Sequence, residues 1–366
     1  MKADPCHARH RHDAAGHNPG TNPGSTNTMA DTTPQPGPQI TFATEAFDAG
    51  ALDDGSLLAL RSGTQRVLLA PQVGGSIAAF YDWHDGRATH WLRPATRAAL
   101  DACDPLGMAS FPLFPYCNRI RDARFEFNGR TVDLSQDGNP FPHALHGHAW
   151  RRPWRVGDYG PDYAVLHFLH EPGTAPAHHW PFRYEAEQRF ELDAQGMRVT
   201  LSARNLSDKP MPLGMGHHPY YPRTPNTSIR TQVAAMWRGD ADLLPEALVQ
   251  HGAVRELASV AGMSPDAFDL DNNFIGWSRS ATIAWPDQQR RLLLQADPAF
   301  AHLVIFAPAD APSMLCVEPV TNTTDWLNAP PADMLAPDPF GGHILAPGES
   351  LSASFRWLAQ MTAEQA

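Results

Sequence analysis

The chain has 366 residues, 42% of them apolar and only 18% charged, which is enough apolar sequence for a sizeable core and excludes a collagen-like, coiled-coil or wholly disordered protein. Its formal net charge is −11, and its 28 cations are 26 arginines and two lysines, so no basic stripe tracks a phosphate backbone and nucleic acid is excluded as a partner. The lysines, Lys2 and Lys209, also leave no candidate for Schiff-base chemistry or a GxxxxGK[ST] phosphate loop, because Lys209 sits in a turn-like stretch over residues 205–210.

Residues 1–39 contain no Ile, Leu, Val, Phe, Trp or Tyr and are rich in Pro, Gly, Asn, Thr and His. Such a segment has nothing to bury against its ordering entropy and is expected to be a disordered tail. Its histidines, His7, His10, His12 and His17, suit at most adventitious metal binding. From Ile40 onward the apolar period is two. Residues 67–70 and 77–80 read as strands; convincing helices are few, and residues 94–102 are the best of them. Residues 124–134 alternate on either side of Asn128 and Gly129, a pair suited to a type I′ turn, and so read as a hairpin. Residues 164–169 form the next strand, followed by a second hairpin over 184–192 and 197–203 with its turn at 193–196. Strands are further expected at 291–295, 302–306, 314–318 and 351–357, with 35 prolines and 27 glycines punctuating the chain. The expected fold is all-β, one domain over residues 40–360 built from stacked antiparallel sheets, with 361–366 as a short C-terminal tail.

The four cysteines, Cys6, Cys103, Cys117 and Cys316, form no CxxC pair and are expected to be reduced, buried thiols. No run approaches the roughly 18 apolar residues of a membrane span, and no apolar h-region follows the first residues. A soluble cytoplasmic protein is expected, with no membrane partner.

Chemistry on such a scaffold belongs to polar residues set among apolar ones. Asn118 and Arg119 interrupt the aromatic-rich stretch 111–120, where a forked cation could hold a ligand hydroxyl or pair with a local acid. His143, His146 and His148 follow at spacings of three and two. An HxH metal strand would need a carboxylate soon after, whereas Arg151 and Arg152 follow, so no metal site is expected. His217 and His218 precede Pro219, and in a strand only one of them can enter a given pocket. Asp271 lies in a stretch over 268–274 that reads as an acidic loop bounded by aromatics, and Glu318 ends an apolar strand before Pro319 and a polar loop.

In this order, Asn118-Arg119-Ile120, Leu145-His146-Gly147, His218-Pro219-Tyr220, the Asp271–Phe274 stretch, Val317-Glu318-Pro319 and residues 344–349 resemble the aldose 1-epimerase (galactose mutarotase) family over nearly the whole chain after the tail. The resemblance implies a galactose-mutarotase-like supersandwich that interconverts the anomers of a free monosaccharide such as glucose or galactose, without cofactor or metal, as a monomer or homodimer. It implies that Glu318 is the general base and His218 the general acid. Arg119, His146 and Asp271 would grip sugar hydroxyls, with Asn118 beside them. In the chemistry so implied, Glu318 is ionised and His218 protonated, held so by a nearby carboxylate. His148 stands where family members often carry glycine, and His217 where many carry Asn, which implies a pocket rim suited to a different sugar. A hexose-6-phosphate epimerase, with Arg121, Arg151, Arg152 or Arg223 as extra cations, a non-catalytic sugar-binding sandwich and a metal-dependent β-barrel enzyme are the competing readings.

Overall fold

Period-two patterning becomes two large antiparallel sheets. In the Tyr184–Asp193 strand, buried Tyr184, Ala186, Gln188, Phe190 and Leu192 alternate with residues more open to solvent, as a strand with one packed face requires. The computed structural model describes residues 57–135, 142–173, 180–329 and 339–362; the low-complexity stretch 1–39 lies outside them.

Among the described residues the larger sheet runs Leu58–Ser62, Gln65–Ala70, Ser76–His84, Ser110–Leu113, Gly216–Pro219, Cys316–Val320, His302–Ala307, Leu270–Ile275, Ala235–Gly239 and Pro245–Val249, with Arg87–His90 paired to the third of these. The second sheet runs Arg155–Tyr159, Tyr163–His170, Tyr184–Asp193, Gly196–Asn205, Ser350–Met361, Arg290–Ala296, Ser280–Trp285 and Ser228–Thr231. Its hairpin from Tyr184 to Asn205 pairs in unbroken register from Tyr184 with Asn205 to Asp193 with Gly196. One continuous core joins the inner faces, with Val67, Phe80 and Ile305 from the first sheet meeting Phe190, Leu201, Phe355 and Trp357 from the second. The fold is all-β and built from antiparallel sheets, as expected.

The other hairpin forms as Arg124–Phe127 and Arg130–Asp133, with Asn128 and Gly129 at φ +50° and +72°, as a type I′ turn demands. The helix is shorter than expected and spans Arg97–Ala102, because the Thr96 side chain accepts from the Ala99 N–H and sets its start. The strand expected at 314–318 starts two residues later, at Cys316, since Met314 N–H closes a turn onto Ala311 O at 2.8 Å. Cys103 is disulfide-bonded, so the expectation of reduced, buried thiols fails there and holds for Cys117 and Cys316. Among the described residues no helix is long and apolar enough to cross a membrane.

Candidate active site

Two neighbouring central strands of the larger sheet supply the centre of the site. Gly216 pairs with Val320, and the same antiparallel register sets His218 opposite Glu318. His218 Nε2 lies 3.3 Å from Glu318 Oε1. His217, one residue earlier, faces the opposite way, into the inter-sheet core, where its Nε2 is 3.2 Å from Gln188 Oε1 and its ring lies against Phe355. The site therefore occupies the outer face of the sheet, floored by the buried cluster Phe111, Leu113, Trp150, Tyr220, Val304, Cys316 and Val320.

Phe111 fixes the acid candidate in place. Its ring stacks on His218 at 4.7 Å between centroids and on Trp150 at 5.0 Å, while Tyr220 lies 4.9 Å from His218. His146 meets His218 edge-on at 5.3 Å.

A pair of short strands, Arg119–Ile120 and Ala144–Leu145, brings the Asn118 and His146 segments side by side. Asn118 and His146 both adopt left-handed backbone conformations, φ +61° and +58°, and exchange hydrogen bonds: His146 N–H donates to Asn118 O at 2.9 Å, and Asn118 N–H to His146 Nδ1 at 3.1 Å. Since Nδ1 accepts, the neutral ring carries its proton on Nε2, which makes it a donor. Gly147 follows at φ +68°, and a Cβ there would fall 1.9 Å from Phe114 O, so only glycine fits the close approach. Asn118 Oδ1 accepts from Arg119 N–H at 2.8 Å and from Arg119 Nη1 at 3.1 Å, and Arg119 Nη2 bonds Asp271 Oδ2 at 3.1 Å. The polar loop after Glu318 braces this segment from below: Asn322 bonds both Cys117 N–H and Cys117 O, and Asp325 N–H donates to Arg119 O at 2.7 Å.

The six sequence-expected residues thus form two linked groups, Glu318 with His218 and His146, and Asn118 with Arg119 and Asp271. The stretch expected as an acidic loop is largely strand, Leu270–Ile275. Strand pairing places Asp271 beside Phe306 and Phe306 beside Cys316, which carries Asp271 to the rim of the same face. The three histidines of the 143–148 stretch do not converge: His143 Nδ1 accepts from Asp122 N–H, and His148 lies tilted against His170 and meets Tyr184. Phe111, Trp150 and Tyr220 were not foreseen as site residues, although each lies within or beside a motif that was. Arg93, whose guanidinium lies 3.9 Å from the Tyr220 ring centroid, carried no sequence signal.

Electrostatics bear on the expected charges of the central pair. Burial pushes the Glu318 carboxyl well above its ordinary range, with Asp271 adding to the rise and Arg119 opposing it. Burial lowers His218 to about 3, its own backbone opposing and Arg93 assisting. Glu318 is 2% exposed and His218 8%, so neither charge is solvated. Burial thus disfavours the charged form of each partner and favours a carboxylic acid beside a neutral imidazole over the expected ion pair. Both forms hold the same number of protons and differ by one transfer across 3.3 Å. Glu318 Oε2 and His218 Nδ1 are buried with no protein partner among the described residues. His146 is likewise pushed well below its ordinary range, chiefly by burial, with the charges of Arg119 and Arg151, and of His218 whenever it is protonated, adding to the fall.

The aldose 1-epimerase family model matches residues 56–357, and the chain belongs to that family. It is 30% identical over 300 residues, 78% of this chain and 94% of the other, to the uncharacterized protein YphB of Escherichia coli K12. A crystal structure from Escherichia coli K12 superposes with a TM-score of 0.71 at 25% identity, covering 83% of this chain and 99% of that one. A galactose mutarotase-like protein from Clostridium acetobutylicum superposes at 0.72 with 20% identity, covering 84% and 95%.

Proposed function

We propose that the protein is a cofactor-independent aldose 1-epimerase that interconverts the α and β anomers of a free monosaccharide such as glucose or galactose. The observation that supports this most is the buried Glu318–His218 contact of 3.3 Å, in which the second Glu318 carboxyl oxygen has no protein partner among the described residues. The sugar's anomeric hydroxyl would bond Glu318 Oε2, which stabilises the carboxylate and drives the Glu318 proton onto His218. Glu318 then takes the anomeric proton while His218 gives its proton to the ring oxygen. The C1–O5 bond breaks and the open-chain aldehyde forms. Rotation about C1–C2 presents the other carbonyl face, and closure with both transfers reversed yields the other anomer. Each positioned transfer contributes about 10²–10⁴-fold. Arg119, oriented by Asn118 and Asp271, and the His146 Nε2–H would hold ring hydroxyls meanwhile.

Polarimetry tests the reading. The protein should speed the rotation of freshly dissolved α-glucose or α-galactose to its normal equilibrium value without moving that value. Sugar binding with no change in rate would replace the enzyme by a carbohydrate-binding sandwich.

A further inference from the structure

Cys316 has no part in that chemistry, yet it stands two residues before Glu318 on the same strand and so points to the same face. Its thiol is free and fully buried. One ligand atom from each of His218, Cys316 and Glu318 can be chosen so that all three lie within 4.8 Å of one another. We propose that these three side chains form a binding site for a soft divalent cation of the zinc class, and that the cation excludes the sugar and switches the enzyme off reversibly.

Geometry, donor chemistry and charge support it together. A zinc ion bound at about 2.0–2.1 Å to imidazole and carboxylate holds those donor atoms about 3.3 Å apart at a tetrahedral edge. The His218 Nε2 to Glu318 Oε1 distance is 3.3 Å. Neutral imidazole, carboxylate and thiolate are the donors that favour zinc, cadmium or cobalt over magnesium or calcium. In a dry pocket a complete set of charges matters most: one carboxylate and one thiolate cancel a divalent cation, so no net charge is buried. Glu318 Oε2, unpartnered and within a residue only 2% exposed, gives the carboxylate a second oxygen free to ligate. On binding, the cation sheds water, the Cys316 S–H and the Glu318 O–H release their protons to solvent, and metal–sulfur and metal–oxygen bonds form. Inhibition rests on the role given above to Glu318 and His218; binding itself does not.

Cobalt(II) is the probe, added to the full-length protein, because a cobalt–thiolate bond gives a charge-transfer band that histidine ligands do not. The band should be present in wild type and in Cys117→Ser, absent in Cys316→Ser, and removed by zinc. Zinc should slow mutarotation at least tenfold and EDTA should restore it. Measured against its own metal-free rate, Cys316→Ser should need at least tenfold more zinc than wild type for the same fractional inhibition. Should Cys316→Ser not fold, Glu318→Gln serves instead and should weaken cobalt binding at least tenfold with the band retained. A band that survives Cys316→Ser, or no thiolate band in wild type, overturns the site. A site that forms while the zinc-loaded protein turns over at the full rate overturns the switch alone, and a site that forms on a protein with no mutarotase activity overturns the proposed function and leaves the site standing.

Discussion

His217 and His218 are consecutive, yet the first ring is locked in the inter-sheet core against Gln188 and Phe355 while the second stacks on Phe111 and reaches Glu318 on the outer face. Ser110 Oγ completes the hold on His217 Nδ1. The alternation of a strand therefore anchors His218 to the core through its neighbour, and the candidate acid inherits the rigidity of the sheet.

Glu318→Gln preserves the shape and removes the exchangeable proton. The polarimetric rate should fall about 10²-fold or more, with sugar affinity changed far less. His218→Gln should behave alike, and the double variant should lose less than the product of the two, because the pair acts as a unit. A Glu318→Gln protein as fast as wild type would remove it from the chemistry.

Arg119→Ala should act on binding. Its guanidinium is held by Asn118 Oδ1 and Asp271 Oδ2 at 3.1 Å each, so it is presented preformed to a ligand. KM should rise about tenfold or more, with kcat reduced less. Asp271→Asn, which releases the fork, should move the same constant in the same direction. Steady-state polarimetry over a range of sugar concentrations separates the two.

Gly147→Ala tests the close approach that seats His146. The new Cβ would lie 1.9 Å from Phe114 O at a φ of +68°, so the loop must shift. A stability loss of about 1–3 kcal/mol or more is expected from denaturant melts, together with a raised KM. An unchanged melt would mean that the 146–148 turn relaxes without strain.

Acid should destabilise the fold in part through His90. Burial first, and then the charge of Arg290, lower its imidazole to about 4 from the ordinary 6.5. Below pH 6.5 the unfolded chain takes up a proton that the folded one refuses, so stability falls as pH drops from 6.5 to about 4 and levels off below. Replacing His90 by Gln should flatten Tm against pH within that window, which thermal melts at several pH values would read.

A phosphorylated sugar should gain little. Arg121 is paired with Asp325 at 3.3 Å and with Asp240 at 3.8 Å, and Arg223 is paired with Asp266. Glucose 6-phosphate should therefore show less than a tenfold advantage in kcat/KM over glucose. A preference of two orders of magnitude, abolished by Arg151→Gln or by salt, would favour the phosphosugar reading.

Strands were legible because their alternation is a local property, as in the hairpin from Tyr184 to Asn205 and the Asn128–Gly129 turn. The six candidate residues were legible through short motifs rather than through pattern. What the chain did not disclose is long-range: that Arg119 is held by an acid 152 positions away, and that Phe111 lies between His218 and Trp150. The protonation of the central pair was also hidden, because it depends on burial that no single segment carries. The acidic stretch around Asp271 was misjudged for a related reason. Its Asp and Asn residues are poor strand formers in isolation, and they are held extended by neighbours such as Trp237 O, which accepts from Asn272 Nδ2 at 2.9 Å, and Thr324, whose N–H donates to Asn273 Oδ1 at 2.9 Å.

The proposed acid–base pair stands on two central strands whose reverse side is core, whereas Asn118, Arg119, His146 and Trp150 arrive on a separate segment tied down by Asn322 and Asp325. On the proposed reading, proton transfer and choice of sugar fall to separable stretches of polypeptide. A chimera that exchanges residues 143–151 with those of a relative while keeping His146 and Trp150 would ask whether the monosaccharide accepted can change with Glu318 and His218 left in place.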